Sequence, residues 1–384
     1  RIRLFRQGSY SQVHHIRPVS PGDRAVTGPL KTHDLVGNRY EILRYVGEGG
    51  MQYVYQAKDH LTDRLVALKT PKNKSATKRF KRSAIVAAKV NHPNVAKTLD
   101  YLKVDSQRFL VEEFIEGSDL KAALLHENAF IDPYLAAKVL HHLAKGVAAA
   151  HHAGVVHRDL KPTNIMVMGG YSLLELKVTD FGIAKMADEE LREAVEGGDA
   201  SMSASQTAVG ALPYMAPEAI DDPATVGPPA DIWSIGAMMY QLLSGNFPFG
   251  QGLRAVPKIM AAELPETPDF LLANPQFSPL AKEILDIAFS CLRRNPSERP
   301  TADQLVKKCS TLCYSSSPRR KGVVTDFRHG AWGFINTPED SVFYHRECVF
   351  GPLPMVGDPV LFASYDGGGA DRALPVVKLG GAPR

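Results

Sequence analysis

The stretch His157-Arg158-Asp159-Leu160-Lys161-Pro162-Thr163-Asn164, followed further along by Asp180-Phe181-Gly182, decides the reading of this chain. Each piece alone is weak, since an isolated Asp-Phe-Gly is more often a turn than a site. Their order is informative because five more signals stand around them in sequence. These are Gly47-Glu48-Gly49-Gly50, Val66-Ala67-Leu68-Lys69, Ala216-Pro217-Glu218, Asp231-Ile232-Trp233-Ser234-Ile235-Gly236, and Arg299 within Asn295-Pro296-Ser297-Glu298-Arg299-Pro300.

The surroundings are those of a folded protein. In 384 residues, 44% are apolar and 22% charged, which excludes wholesale disorder and fibrous repeats, and the length allows two domains. The net charge of +4 is too small to argue for general nucleic-acid or membrane binding. No apolar run approaches the roughly 20 residues of a membrane helix and the start lacks a signal-peptide core, so the cytoplasm is the expected compartment. The chain starts at Arg1, not Met, and is expected to be a fragment or a processed product. Cys291, Cys309, Cys313 and Cys348 lack zinc-site spacing and are expected to be reduced, buried thiols.

Texture divides the chain. Residues 1–38, with scattered Gly, Pro and Arg, read as a flexible N-terminal extension. From Tyr40 onward, β-branched and aromatic runs predict a small antiparallel sheet, a helix over 76–90, and strands at 97–104 and 108–115. Beyond Gly117 the pattern turns helical, most clearly at 133–153, 228–244 and 278–293. Residues 313–320 read as a short polar linker. From Lys321 short strands return, which predicts an all-β domain over 321–380.

Taken together, the seven motifs resemble the eukaryotic-like, bacterial-type serine/threonine protein kinases. The resemblance spans about residues 40–312 and implies an α+β bilobal kinase fold over 39–312, divided into lobes 39–115 and 116–312. It also implies ATP and Mg²⁺ as cofactors and protein substrates. Phosphoryl transfer is mostly positioning and charge neutralisation, and each part then has a role. Val46, Gly47, Glu48, Gly49 and Gly50 would form the phosphate loop, and Lys69 would meet the α/β oxygens. Asn164 and Asp180 would hold Mg²⁺, a hard cation that takes oxygen ligands. Asp159 would accept the substrate hydroxyl proton, while Lys161 would face the γ-phosphate and favour Ser/Thr acceptors. Adenine would bond the carbonyl of Glu113 and the amide of Ile115, between Val54, Ala67 and Met166. Glu218 and Arg299 would form a structural ion pair, and Asp231 would brace the catalytic loop.

Three positions depart from that pattern. Gln52 replaces the third loop glycine. Ser83 stands where the family helix carries the glutamate that pairs the lysine, and residues 64–99 contain no acid. Ala211 replaces a threonine whose hydroxyl bridges the catalytic aspartate and lysine. Glu112, at the rear of the nucleotide pocket, has two readings: it pairs with Lys69, or it is solvated through a loose helix. Ser201, Ser203, Ser205 and Thr207 are candidate phosphosites for Arg158 to receive, or incidental residues of a solvated loop.

The C-terminal stretch from Lys321 resembles a cold-shock domain, an oligonucleotide-binding (OB-type) barrel. Gly330–Ile335 and Val342–His345 stand at its two nucleic-acid motifs. Strand alternation places Trp332, Phe334, Phe343 and His345 on one face, able to stack the bases of single-stranded RNA or DNA. Asp326 and Arg346 replace aromatic residues of that family, which leaves a docking or spacer role open. Beside the reading of a kinase modulated by nucleic acid, two further readings stand: an ATP-binding pseudokinase scaffold, and a regulator in which the barrel is the working part.

Overall fold

A computed structural model describes residues 29–48, 52–72, 77–181 and 210–380. The first lobe is a six-stranded sheet of β1 (Leu35–Val36), β2 (Tyr40–Glu48), β3 (Gln52–Asp59), β4 (Arg64–Pro71), β5 (Thr98–Val104) and β6 (Gln107–Glu113). The strand order is β1-β2-β3-β4-β6-β5 and every pairing is antiparallel. The alternation of side chains along the strands sets the two faces. Tyr40, Ile42, Tyr55, Ala57, Val66, Leu68, Phe109 and Val111 bury together on one. On the other, helix α1 (Thr77–Ala87) lays Phe80 and Ala84 on Leu110 and Tyr101. Residues 29–38 do not behave as the extension expected of them. Leu30 packs on the sheet core, Val36 is buried, and β1 pairs with β2 through Leu35↔Glu41 and Val36↔Tyr40.

The second lobe is mainly helical. Asp119 caps α2 (Leu120–Leu124) by accepting from the amide of Ala122, and Asp132 caps α3 (Pro133–His152) by accepting from those of Tyr134 and Leu135. Proline at the first position of α3 suits this start, since its missing N–H is not needed there. Leu140, Leu143 and Val147 of α3 are fully buried in the core shared with helix Pro228–Ser244, which is buried along nearly its whole length. Gly146 lets another backbone cross α3, because a Cβ there would lie 2.7 Å from the carbonyl oxygen of Asn94. A short sheet of β7 (Ser118–Asp119), β8 (Ile165–Met168) and β9 (Glu175–Val178) carries the segments that flank the site.

The C-terminal strands β10 (Arg320–Arg328), β11 (Trp332–Asn336), β12 (Ser341–His345), β13 (Pro359–Tyr365) and β14 (Arg372–Lys378) close into a barrel in the order β10-β11-β12-β14-β13. β13 returns to β10, and β12 meets β14 in parallel. Val324, Ile335, Val342, Tyr344, Val360, Phe362 and Val376 fill its interior. Gly333 is required by the closure: a Cβ there would fall 1.8 Å from the carbonyl oxygen of Asp326, beside the bulge in β10.

The stretch read as a linker is packed against the helical lobe, and β10 begins inside it at Arg320. Tyr314 Oη lies 2.8 Å from His141 Nδ1. Arg319 forms an ion pair at 2.9 Å with Asp132, their side chains only 5% and 1% exposed. Phe350 of the barrel sits among Phe130, Phe270 and Phe277 of the lobe, at 5.7, 5.9 and 5.4 Å between ring centres. Asn274 donates to the carbonyls of Glu347 and Val349 across the same seam. The barrel is therefore part of the wall of the helical lobe, and the cap of α3 is one of its anchor points. Among the four cysteines, Cys291 and Cys309 are buried as expected, but Cys313 is exposed and Cys348 half-buried.

Phe350→Ala would empty the centre of a four-ring cluster, and truncations of this kind cost about 3–5 kcal/mol. The denaturation midpoint of the full chain is expected to fall by a corresponding amount. A midpoint equal to that of the wild type would mean that the seam does not hold the two parts together.

Candidate active site

The loop after α3 is shaped by one buried carboxylate. Asp231, in the first turn of helix Pro228–Ser244 and 1% exposed, accepts from the backbone amides of His157 and Arg158, each at 2.8 Å. It also accepts from His151 Nε2 at 2.8 Å. These bonds hold Arg158 at φ +70°, a left-handed conformation that costs a non-glycine residue about 1–3 kcal/mol. His157 donates from Nε2 to the carbonyl of Thr179 at 2.8 Å and lies against Phe181, which ties this loop to the segment carrying Asp180. Asp159 is thereby displayed with Asn164 Nδ2 at 3.0 Å and Lys161 Nζ at 2.8 Å from its Oδ2. The Asn164 amide nitrogen also donates to the Asp159 carbonyl at 2.8 Å, so its donor side is engaged and its oxygen remains as an acceptor.

Lys69 occupies the other side of the site. Its Nζ lies 2.6 Å from Glu112 Oε2 and 2.7 Å from Asp180 Oδ1, with the lysine and Glu112 side chains 7% and 5% exposed. Burial pushes the ammonium toward neutrality, but the two carboxylates outweigh it and hold the lysine above its usual pKa. The Asp180 side chain is half-buried, and the partial loss of water pushes its carboxyl up, but Lys69 and Gln52 outweigh this and keep it below the usual carboxylate range. Of the two readings of Glu112, the packed ion pair is the one present. Gln52 was legible only as a lost glycine. In the fold it is 6% exposed and donates from Nε2 to Asp180 Oδ1 at 2.8 Å, a bond that crosses from the hairpin of the first lobe to the second. No sequence pattern marks such a contact.

The family description "Protein kinase domain" matches residues 40–309. The chain belongs to the protein kinase family. It is 34% identical over 249 residues to a probable serine/threonine-protein kinase PknB of Lactococcus lactis, covering 63% of this chain and 37% of that one. It is 31% identical over 271 residues to the serine/threonine-protein kinase PrkC of Bacillus subtilis, covering 69% and 39%. This chain thus spans less than half the length of these relatives. Among solved structures, the kinase domain of Mycobacterium tuberculosis PknI superposes with a TM-score of 0.53 at 20% identity, over 73% of this chain and 98% of that one, a likeness of fold.

The kinase's other expected site residues lie along the two lobes. Ala67 is 9% exposed on β4 and pairs with Glu112, while Val54 and Met166 are half-buried on β3 and β8. Val46 is exposed, and Gly47, opposite Val54, has open space where a Cβ would stand. Glu48 pairs with Lys72 at 3.0 Å. Glu113 leads into the segment that holds Ile115, and its carboxylate is taken by Lys177 at 2.9 Å and by the amide of Lys97 at 2.7 Å. Gly49, Gly50 and Gly182, with Ser201, Ser203, Ser205 and Thr207, lie outside the described residues. Away from the site, Arg299 binds Glu218 at 2.6 and 2.8 Å and covers the Trp233 ring.

On the barrel, Trp332, Phe334 and Phe343 form a half-buried triangle with centres 5.9–6.1 Å apart, and His345 pairs opposite Trp332. Arg328 stacks over Trp332 at 5.2 Å. Among the described residues no group of three or more His, Cys, Asp or Glu could hold a metal, and no helix is long and apolar enough to cross a membrane. Asp180 and the Asn164 oxygen fit a cation that draws most of its ligands from phosphates and water, as Mg²⁺ does.

Asp231→Asn would turn an amide NH₂ toward one of the backbone N–H groups that the carboxylate now accepts. The loss is expected to be about 1–3 kcal/mol of stability, as for a buried donor left unpaired. Equilibrium unfolding measures it, and an unchanged midpoint would show that the loop does not depend on this brace.

Proposed function

We propose that this kinase transfers the γ-phosphate of ATP to serine or threonine hydroxyls of proteins. The reading is carried by the convergence of Asp159, Lys161 and Asn164 on one side of the site and of Lys69 and Asp180 on the other. Asp159, oriented by Asn164, is placed to accept the proton of the attacking hydroxyl. Lys161, already held beside Asp159, supplies a positive charge where the transferring group gathers negative charge. Lys69 binds the α/β-phosphate oxygens. Asn164 and Asp180 would hold Mg²⁺, whose charge would offset that of the phosphates. Adenine would bond the Glu113 carbonyl and Ile115 amide between Val54, Ala67 and Met166.

Purified protein with Mg²⁺ and ATP should phosphorylate itself and a basic model protein. Asp159→Asn should abolish both while leaving ATP binding nearly intact, because it removes a group needed in the chemical step and not for the nucleotide. Equal background signals from the wild type and the variant, with ATP bound by both, would make the chain a pseudokinase.

The aromatic triangle favours a second role for the barrel, read as a cold-shock-like domain that binds single-stranded RNA or DNA and modulates the kinase. Stacking contributes about 1–3 kcal/mol per base, so three rings suffice for a short strand, bound weakly and with little salt dependence on so neutral a surface. Single strands titrated into the full chain should change Trp332 emission, isolated by a Trp233→Phe background, and duplex should not. No change up to high micromolar strand would leave the barrel a structural or docking part.

A further inference from the structure

Family kinases pair the nucleotide-binding lysine with an acid on the helix of the first lobe, and here that helix has none to offer, since residues 64–99 carry no aspartate or glutamate. Lys69 still needs a counter-charge, because a buried ammonium without one is among the most expensive groups a fold can hold. The sheet supplies it. Ala67 and Lys69 of β4 stand opposite Glu112 and Leu110 of β6, so all four side chains share the face on which α1 lies. Glu112 is the diagonal neighbour of Lys69 on that face, and its carboxylate reaches the ammonium at 2.6 Å.

We infer that Glu112 is the positioning residue for Lys69, and that the ion pair is set by the register of β4 and β6, independently of where α1 sits. The inference rests on the kinase reading of the site. Lys69 holds two carboxylates, and they divide the work. Glu112 is fixed within a paired strand, whereas Asp180 belongs to the segment that offers Mg²⁺ a ligand. With Glu112 in place, Asp180 can leave the lysine for the metal without stranding a buried cation. Without it, Asp180 is the one carboxylate left on the ammonium among the described residues and is held back. What α1 contributes is packing, through Phe80 and Ala84, so a device that works by swinging this helix would not break the pair.

A stability cycle on the nucleotide-free full chain tests this without turnover. Glu112→Met should lower the unfolding midpoint when Lys69 is present, and should raise it or leave it unchanged in a Lys69→Met background, where the carboxylate has lost its cation. Equal shifts in the two backgrounds would overturn the inference. In phosphoryl-transfer assays, Glu112→Gln, which keeps the shape but not the charge, should cut kcat by at least about tenfold and raise the Mg²⁺ concentration needed for half-maximal rate. Ile85→Gly, which loosens α1 at an exposed position, should leave the rate within about twofold. Wild-type rates in Glu112→Gln, or a loss in Ile85→Gly as deep as in Glu112→Gln, would contradict the inference. A wild type inert in transfer would count against the kinase reading alone, since the stability cycle still decides the role of Glu112.

Discussion

A buried, protonated Lys69 is the constraint around which this site is arranged. The amine sits on the inner face of a sheet at 7% exposure, where an ion without partners would be neutralised or expelled. Two carboxylates from different parts of the chain converge on it, one by strand register and one from the segment after β9. Gln52 fastens the second carboxylate from the hairpin above. The sheet of the first lobe, its hairpin at Gln52 and the segment carrying Asp180 are thus joined at a single charge.

The same logic recurs below. Asp231 and Arg299 are buried ions that would be costly alone, and each is fully occupied by groups that need fixing. Asp231 converts the start of one helix into the shape of the loop that carries Asp159, including the left-handed turn at Arg158. Asp132 links the cap of α3 to Arg319 at the edge of the barrel, so a module that could have hung on a tether is tied to the helix that leads into that loop.

How much of this the sequence showed follows from how local each cause is. Helices α3 and Pro228–Ser244 and the strands of the first lobe were legible because apolar period and turn residues act over a few positions. That Asp159, Asn164 and Asp180 belong to one site was legible because their motifs stand in a fixed order along the chain. Glu112 was half legible: its place at the rear of the nucleotide pocket was expected, but its partner depended on a diagonal across two strands. Gln52 as a donor to Asp180, Arg319 with Asp132, and Phe350 in a cluster of three other rings were not legible, because each joins residues far apart in the chain without a spacing rule. Residues 29–38 misled by composition, since a two-residue strand leaves no period to read.

The most direct measurement is a crystal structure of the full chain with Mg²⁺ and a non-hydrolysable ATP analogue. The account predicts that Lys69 Nζ contacts the phosphates while remaining within hydrogen-bond distance of Glu112, with Asp180 turned to the metal and α1 free of any contact with the amine. A Lys69 that has left Glu112 for another partner, or an Asp180 that holds no metal, would contradict it.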